Sequence, residues 1–270
     1  MADMQSETTD AAGGTLASAP LRIQGRWGDA RMQDVRAVLE ETRLSALMGM
    51  SPPTMGIPSE IVVIGDPDAD ASTVRAESGD RAMMTLKMKG RFWAAAAYQF
   101  SHQFGHVITN GWDRSDGAAG PSQWLEEALV EAVALINLQR MSVLWHFAPP
   151  YPHWDSHGET LARYAKNRLA ELRAAAPSVD LERDGKTWFR DNEADLATLT
   201  DVDGLTGGLV AWLVAELRSA PGVGQSIPAL NRWEERTALP VPDYLAAWSA
   251  SCAELGAPDT VPRRLAACLG

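Results

Sequence analysis

The hydrophobic period of this chain shifts at Gly90 to a mainly helical one, and that change limits its fold more than any other feature. Before it, "RAMMTLKMKG" alternates: Met84, Leu86 and Met88 face one side, Thr85, Lys87 and Lys89 the other. That period of two is a strand with one buried face. After it, Trp93, Ala97, Phe100, Phe104 and Val107 recur at spacings of three and four, which is the apolar stripe of a helix. Upstream, "LRIQGRW" and "EIVVIG" read as strands. Between them "DARMQDVRAVLEETRLSALMG" carries Met32, Val35, Val38, Leu39 and Leu44 at helical spacing.

Downstream of Arg91 the pattern is mainly helical. "GRFWAAAAYQFSHQFGHVIT" ends at the stop signal Asn110-Gly111, and "GWDRSDGAAG" is a loop. Pro121 opens "PSQWLEEALVEAVALINLQRMSVLW", because a missing amide donor costs little at a helix start. Further helices are expected near 156–175, 204–219, 241–254 and 260–268, separated by "APPYP" and "APGVGQSIP". The expected fold is α+β: a small N-terminal mixed sheet over a helix pair, then a mainly helical C-terminal half. Residues 1–20, small and polar, read as a disordered tail, 21–145 as the α+β core and 146–270 as a helical part packed on it, all one continuous unit. The lysines of "RAMMTLKMKG" suit a sheet edge, where they discourage unwanted pairing.

With 270 residues and 46% hydrophobic content the chain can bury a sizeable core without disulfides. Its net charge of −11, with no basic cluster, argues against nucleic acid and anionic membrane surfaces. A small molecule, peptide or protein is the expected partner. The sequence leaves the oligomeric state open. Cys252 and Cys268 are too few for a disulfide framework or a cysteine-rich metal site, and read as buried thiols or one late bridge. No signal peptide is evident, and no window reads as a membrane span, so a cytoplasmic location is the expectation.

The chemistry lies in "YQFSHQFGHVITN". His102 is two residues from Phe100, about 200° around the helix, so it points away from the core stripe. His106 is four residues on, and the two imidazoles share a face and can share an ion. Gly105 leaves room for another element to approach. A third protein ligand is needed, with one position left for water. In "WLEEALVEA", Glu127 and Glu131 are four apart and share a face, and a helical hairpin can bring them opposite the histidines. Glu126 points about 100° away and is expected in solvent.

"HQFGH" followed by "WLEEALVE" resembles the gluzincin zinc metallopeptidases, whose signature is His-Glu-x-x-His and then a Trp-Leu-x-Glu-Gly-x-Ala-Glu-like helix. The resemblance covers roughly residues 60 to 135. It implies His102, His106 and Glu127 as zinc ligands, Glu131 as a carboxylate behind them, and "RAMMTLKMKG" as the edge strand along which an extended peptide would pair. Ala128 replaces the family's glycine. More seriously, Gln103 stands where the family has its general base, the glutamate that takes a proton from water and passes it to the leaving amine. A neutral amide cannot do this, and losing acid-base help typically costs about 10²- to 10⁴-fold in rate.

Other motifs are weaker. "HWDSH" pairs His153 with His157, but Ser156 and Glu159 have the form of a capping box that starts a helix between them and parts the histidines. These histidines or Tyr151 are at most cleft-lining groups. Asp66, Asp68, Asp70 and Glu77 fall at calcium-loop offsets, but Ala71 sits where that loop needs glycine. "GVGQSI" lacks the last glycine of a dinucleotide fingerprint.

Three functions follow. One is a metallopeptidase-like protein with impaired or absent peptidase activity that binds zinc and peptides. A second is an active zinc hydrolase in which another group, Glu131 among the candidates, acts as base. The third is a metal-free peptide- or protein-interaction module on the same scaffold.

Overall fold

The computed structural model describes residues 15–50, 56–77, 80–112, 120–234, 236 and 238–270. It is α+β, as the change of period requires. Four strands, β1 (Leu21–Gly25), β2 (Glu60–Gly65), β3 (Thr73–Glu77) and β4 (Arg81–Leu86), lie in the order β1-β2-β4-β3. β1 and β4 flank β2 in parallel, with Ile23 opposite Val63 and Val63 opposite Met84. β3 closes the sheet antiparallel to β4, with Arg75 opposite Met83.

This order corrects the expected edge. "RAMMTL" is an interior strand, and its alternate residues Ala82, Met84 and Leu86 are fully buried. The edge beside it is β3, "TVRAE". No residue of β3 is fully buried, so it has no apolar alternation to announce it. The acidic residues before it have a simpler use than calcium: Asp66 and Asp68 pair with Arg26 at 2.6 and 2.8 Å.

Among the described residues there are eight α-helices, all but α5 where the sequence pattern places them: α1 (Met32–Leu47), α2 (Trp93–Ile108), α3 (Gln123–Phe147), α4 (His157–Ala175), α5 (Leu181–Leu196), α6 (Gly207–Leu217), α7 (Val241–Glu254) and α8 (Thr260–Leu269). α1 buries Val35, Val38 and Leu39, but Met32 and Leu44 stay half exposed. α5 was not foreseen, because "LERDGKTWFRDNEADL" is mostly charged and has Gly185 in its middle. It is held by the Asp180 side chain, which caps the Arg183 amide, and by Trp188 and Phe189, which pack on Trp124. Gly185 is needed there: a Cβ would lie 2.5 Å from the Cys268 carbonyl oxygen of α8. α4 begins after Ser156 as expected, but the Ser156 side chain makes no capping hydrogen bond.

The proposed tail ends earlier than residue 20. Leu16 and Ala19 are buried in the main core, and Arg43 donates to the Ala19 carbonyl at 2.6 Å. Residues 1–14, and 113–119 of the expected loop, lie outside the described residues.

α3 runs through the middle of the molecule, against α1, α2, α4 and α6. Contrary to the sequence reading, it is long and apolar enough to cross a membrane. However, 67% of the qualifying stretch is buried inside the fold. It is therefore a core helix, and its carboxylates are buried with it. Cys252 and Cys268, on α7 and α8, are free and buried, and burial pushes the Cys252 thiol up to about 12.

Candidate metal centre

α2 and α3 form an antiparallel hairpin, and their approach depends on one glycine. A Cβ on Gly105 would sit 2.9 Å from the Val130 Cβ, so only glycine lets the two backbones come this close. The C-terminal end of α2 is fixed by a Schellman motif: Asn110 is left-handed (φ 57°), Gly111 N–H donates to the His106 carbonyl at 2.7 Å, and Asn110 N–H to Val107 at 3.2 Å. The chain then turns back with no room beside Gly111, where a Cβ would fall 1.8 Å from Glu126 Oε1.

The hairpin brings His102, His106 and Glu127 together. Their ligand atoms all lie within 4.8 Å of one another, and the group can hold a metal ion. Both Nε2 atoms face the same oxygen, Glu127 Oε2, at 3.4 and 3.3 Å. Those distances are long for charge-assisted hydrogen bonds, which close to about 2.7–2.9 Å. They match the edge of a ligand tetrahedron, which for bonds of about 2.0–2.1 Å is about 3.3 Å.

The other nitrogen of each ring has a partner of its own. His102 Nδ1 meets Glu131 Oε2 at 3.0 Å, and His106 Nδ1 meets Glu126 Oε1 at 2.7 Å. Such carboxylates fix the ring and its tautomer, so that both Nε2 atoms are turned toward Glu127. Each carboxylate is held in turn. Glu131 accepts from the Tyr98 hydroxyl (2.7 and 2.8 Å) and from Arg168 Nε (2.9 Å). Glu126 accepts from Asn231 Nδ2 (2.8 Å) and the Thr109 hydroxyl (3.3 Å), and Tyr244 donates to Asn231 Oδ1 at 2.6 Å.

Glu126 is thus a correction: it is 1% exposed, not solvated. The helical angle was right, but the inference that this direction meets water was not, because the segment around Asn231 covers it. Sequence reasoning also missed Arg168, Tyr98, Asn231 and Tyr244. Asn231 and Tyr244 are over 100 residues from Glu126, and no local pattern links them; the Glu126-Glu127 doublet was the one available hint.

The electrostatics suit a cation. Burial opposes a charge on His102, but hydrogen bonds to Glu127 and Glu131 outweigh it and raise its pKa. For His106 burial is overcome by the Glu127 charge and the Glu126 bond, and its pKa rises to about 10. Burial would raise both Glu127 and Glu131; the histidines hold Glu127 well below the usual range, and His102 and Arg168 lower Glu131. A proton held on His106 supplies positive charge beside these buried carboxylates, and His102 is shifted in the same direction.

The site opens into a cleft of about 540 Å³, in which His102, Gln103, His106 and Glu127 face β3 residues 73–75 and Asp201. Gln103 Nε2 donates to the Ser72 carbonyl at 3.2 Å, tying α2 to the start of the edge strand. Glu131 does not line the cleft, and both its oxygens are engaged. Neither His153, His157 nor Tyr151 lines it; these cluster with Trp154 elsewhere. No protein-family model, curated protein or solved structure matches the chain.

Proposed function

We propose that the chain is a zinc-binding, metallopeptidase-like protein of the gluzincin type in which peptide hydrolysis is impaired or absent. The observation that carries this is the paired orientation of the two imidazoles: each Nδ1 is taken by a buried carboxylate, and both Nε2 atoms converge on Glu127 Oε2. Zinc fits this set of two nitrogens and one carboxylate oxygen, which is the donor set of catalytic sites with three protein ligands. A zinc ion held there would supply Lewis acidity and would make nearby water more acidic.

The chain's own residues do the rest. Glu126 and Glu131 hold the rings in place, and Arg168 and Asn231 hold those carboxylates. β3 offers its free edge to an extended peptide, and Arg75 on that strand favours an acidic residue in it. Gln103 fills the position beside the metal ligands where a base would stand, and its amide neither accepts a proton nor returns one.

Glu131 is a poor substitute base: it is buried, fully bonded and held in its charged form. Asp201 favours the second reading, an active hydrolase, because among the described residues lining the cleft it is the carboxylate outside the ligand set.

Peptide hydrolysis by the zinc-loaded wild type, Gln103→Glu and Asp201→Asn tests the proposal. Turnover confined to Gln103→Glu is the expected result. Wild-type turnover that Asp201→Asn abolishes would replace the proposal with the second reading. Turnover by none of the three, with zinc bound, leaves a peptide-binding protein, and peptide titration of the loaded wild type then decides: saturable binding supports the proposal and its absence overturns it.

A further inference from the structure

Beyond the metal centre, α3 forms one wall of a separate cavity of about 230 Å³. Its lining includes Met48 and Met50, after α1, Val133 and Ile136 of α3, and Leu217 and Ile227. Two polar groups of α3 interrupt this apolar lining. They are Asn137 and Arg140, three residues apart and so on one face of the helix.

Asn137 is 1% exposed. Its amide nitrogen is used twice, toward the Thr42 carbonyl (3.0 Å) and the Ser101 hydroxyl (2.8 Å), while among the described residues its Oδ1 accepts from nothing. That oxygen is sealed by its neighbours, so Asn137 braces α3 against α1 and α2 behind the cavity wall, and Arg140 is the polar group left to meet a ligand. Arg140 donates from Nη1 to the Ser45 carbonyl at 2.5 Å, and among the described residues no carboxylate pairs with it. Burial lowers its pKa, the mark of a cation that lacks an anion.

We propose that this cavity binds a small apolar carboxylic acid, its carboxylate on Arg140. The planar fork of an arginine suits a carboxylate, and the flexible methionines can close around apolar bodies of varied shape. The volume equals that of about seven or eight water molecules in the liquid, so long acyl chains are excluded. This proposal does not depend on the metal centre.

The test uses the full chain with methyl-labelled methionine, under chelation so that no carboxylate binds a metal. The probes are indole-3-acetate, which has the apolar body and the charge, and its neutral counterpart indole-3-acetamide. The Met48 and Met50 methyl signals are expected to shift saturably with the acid. A Kd at or below about 1 mM is expected for roughly a dozen ligand atoms. The amide should bind at least about tenfold more weakly, as for the loss of a charge-assisted bond. Arg140→Gln should remove that difference, and Ile136→Trp, which fills the cavity, should abolish both shifts. Should Ile136→Trp not fold, the comparison of acid and amide on wild type decides. Absence of shifts at Met48 and Met50, equal affinity for acid and amide, or an acid unaffected by Arg140→Gln would each overturn the proposal.

Discussion

Glu126→Gln keeps the shape of a buried side chain and removes its charge, at a residue that never touches the proposed metal. Two costs can be worked from its contacts. The bond to His106 Nδ1, at 2.7 Å, changes from charge-assisted to neutral, a loss of about 1–1.5 kcal/mol. With the new amide oxygen directed at His106, its nitrogen faces Asn231 Nδ2, a donor now 2.8 Å from another donor. Turning Asn231 over would place its N–H against the Tyr244 hydroxyl, which now donates to Oδ1 at 2.6 Å. That mismatch, or the rearrangement of Asn231 and Tyr244 that relieves it, costs about 1–3 kcal/mol more. The sum is about 2–4 kcal/mol at neutral pH, or roughly 5–15 °C in Tm for a chain of this size.

The pH dependence gives a second, independent signature. The folded pKa of His106 is raised to about 10, so its contribution is fully present below the unfolded value of about 6.5 and is lost as pH rises through about 10. The metal-free wild type should therefore lose on the order of 3–5 kcal/mol across that window. Because Glu126 is one of two carboxylates that raise His106, the variant should lose about half as much. Urea unfolding of both proteins in chelator at pH 6.5, 8 and 9.5 measures this. Wild-type stability and an unchanged pH profile in Glu126→Gln would refute the reasoning. Zinc affinity should also fall about 10- to 100-fold, as it does when an outer partner of a ligand is lost.

Zinc binding at pH 7 should release about one proton per ion or more, since the His106 imidazole, its pKa raised to about 10, is protonated before and neutral after; titration calorimetry in buffers of different ionisation enthalpy counts them, and a count of zero contradicts the raised pKa of His106. Gly111→Ala should cost about 1–3 kcal/mol by chemical unfolding, because its Cβ meets Glu126 Oε1 at 1.8 Å; a neutral effect would mean that the turn is not closed on Glu126. Gln103→Glu should lower stability by about 1–3 kcal/mol, because a carboxylate replaces the donor to the Ser72 carbonyl; an unchanged unfolding midpoint would mean that this bond is not formed.

Much of this was legible in the sequence because it is local. The period change at Gly90 gave the α+β order, His102 and His106 declared a shared face by their spacing, and Asn110-Gly111 ended α2 where a Schellman motif does. The spacing of Glu127 and Glu131 made both candidates, but only the fold separates them: Glu127 faces both Nε2 atoms while Glu131 lies behind His102. What could not be read depends on distant chain. Glu126 was put in solvent because a helix angle gives direction, not surroundings. Arg168 and Asn231 meet these carboxylates from 37 and 105 residues away. β3 and α5 were missed for one reason: their apolar content is low, and pairing with β4 and packing on Trp124 hold them instead.

The central claim is that three side chains from α2 and α3 hold one ion. Zinc content after dialysis against trace zinc, compared between wild type and Glu127→Ala, tests it most directly. The account predicts about one zinc per wild-type chain and less than about a tenth of that in the variant, given the affinity that a complete ligand set provides. A wild type that retains no zinc, or a variant that retains as much as wild type, would contradict it.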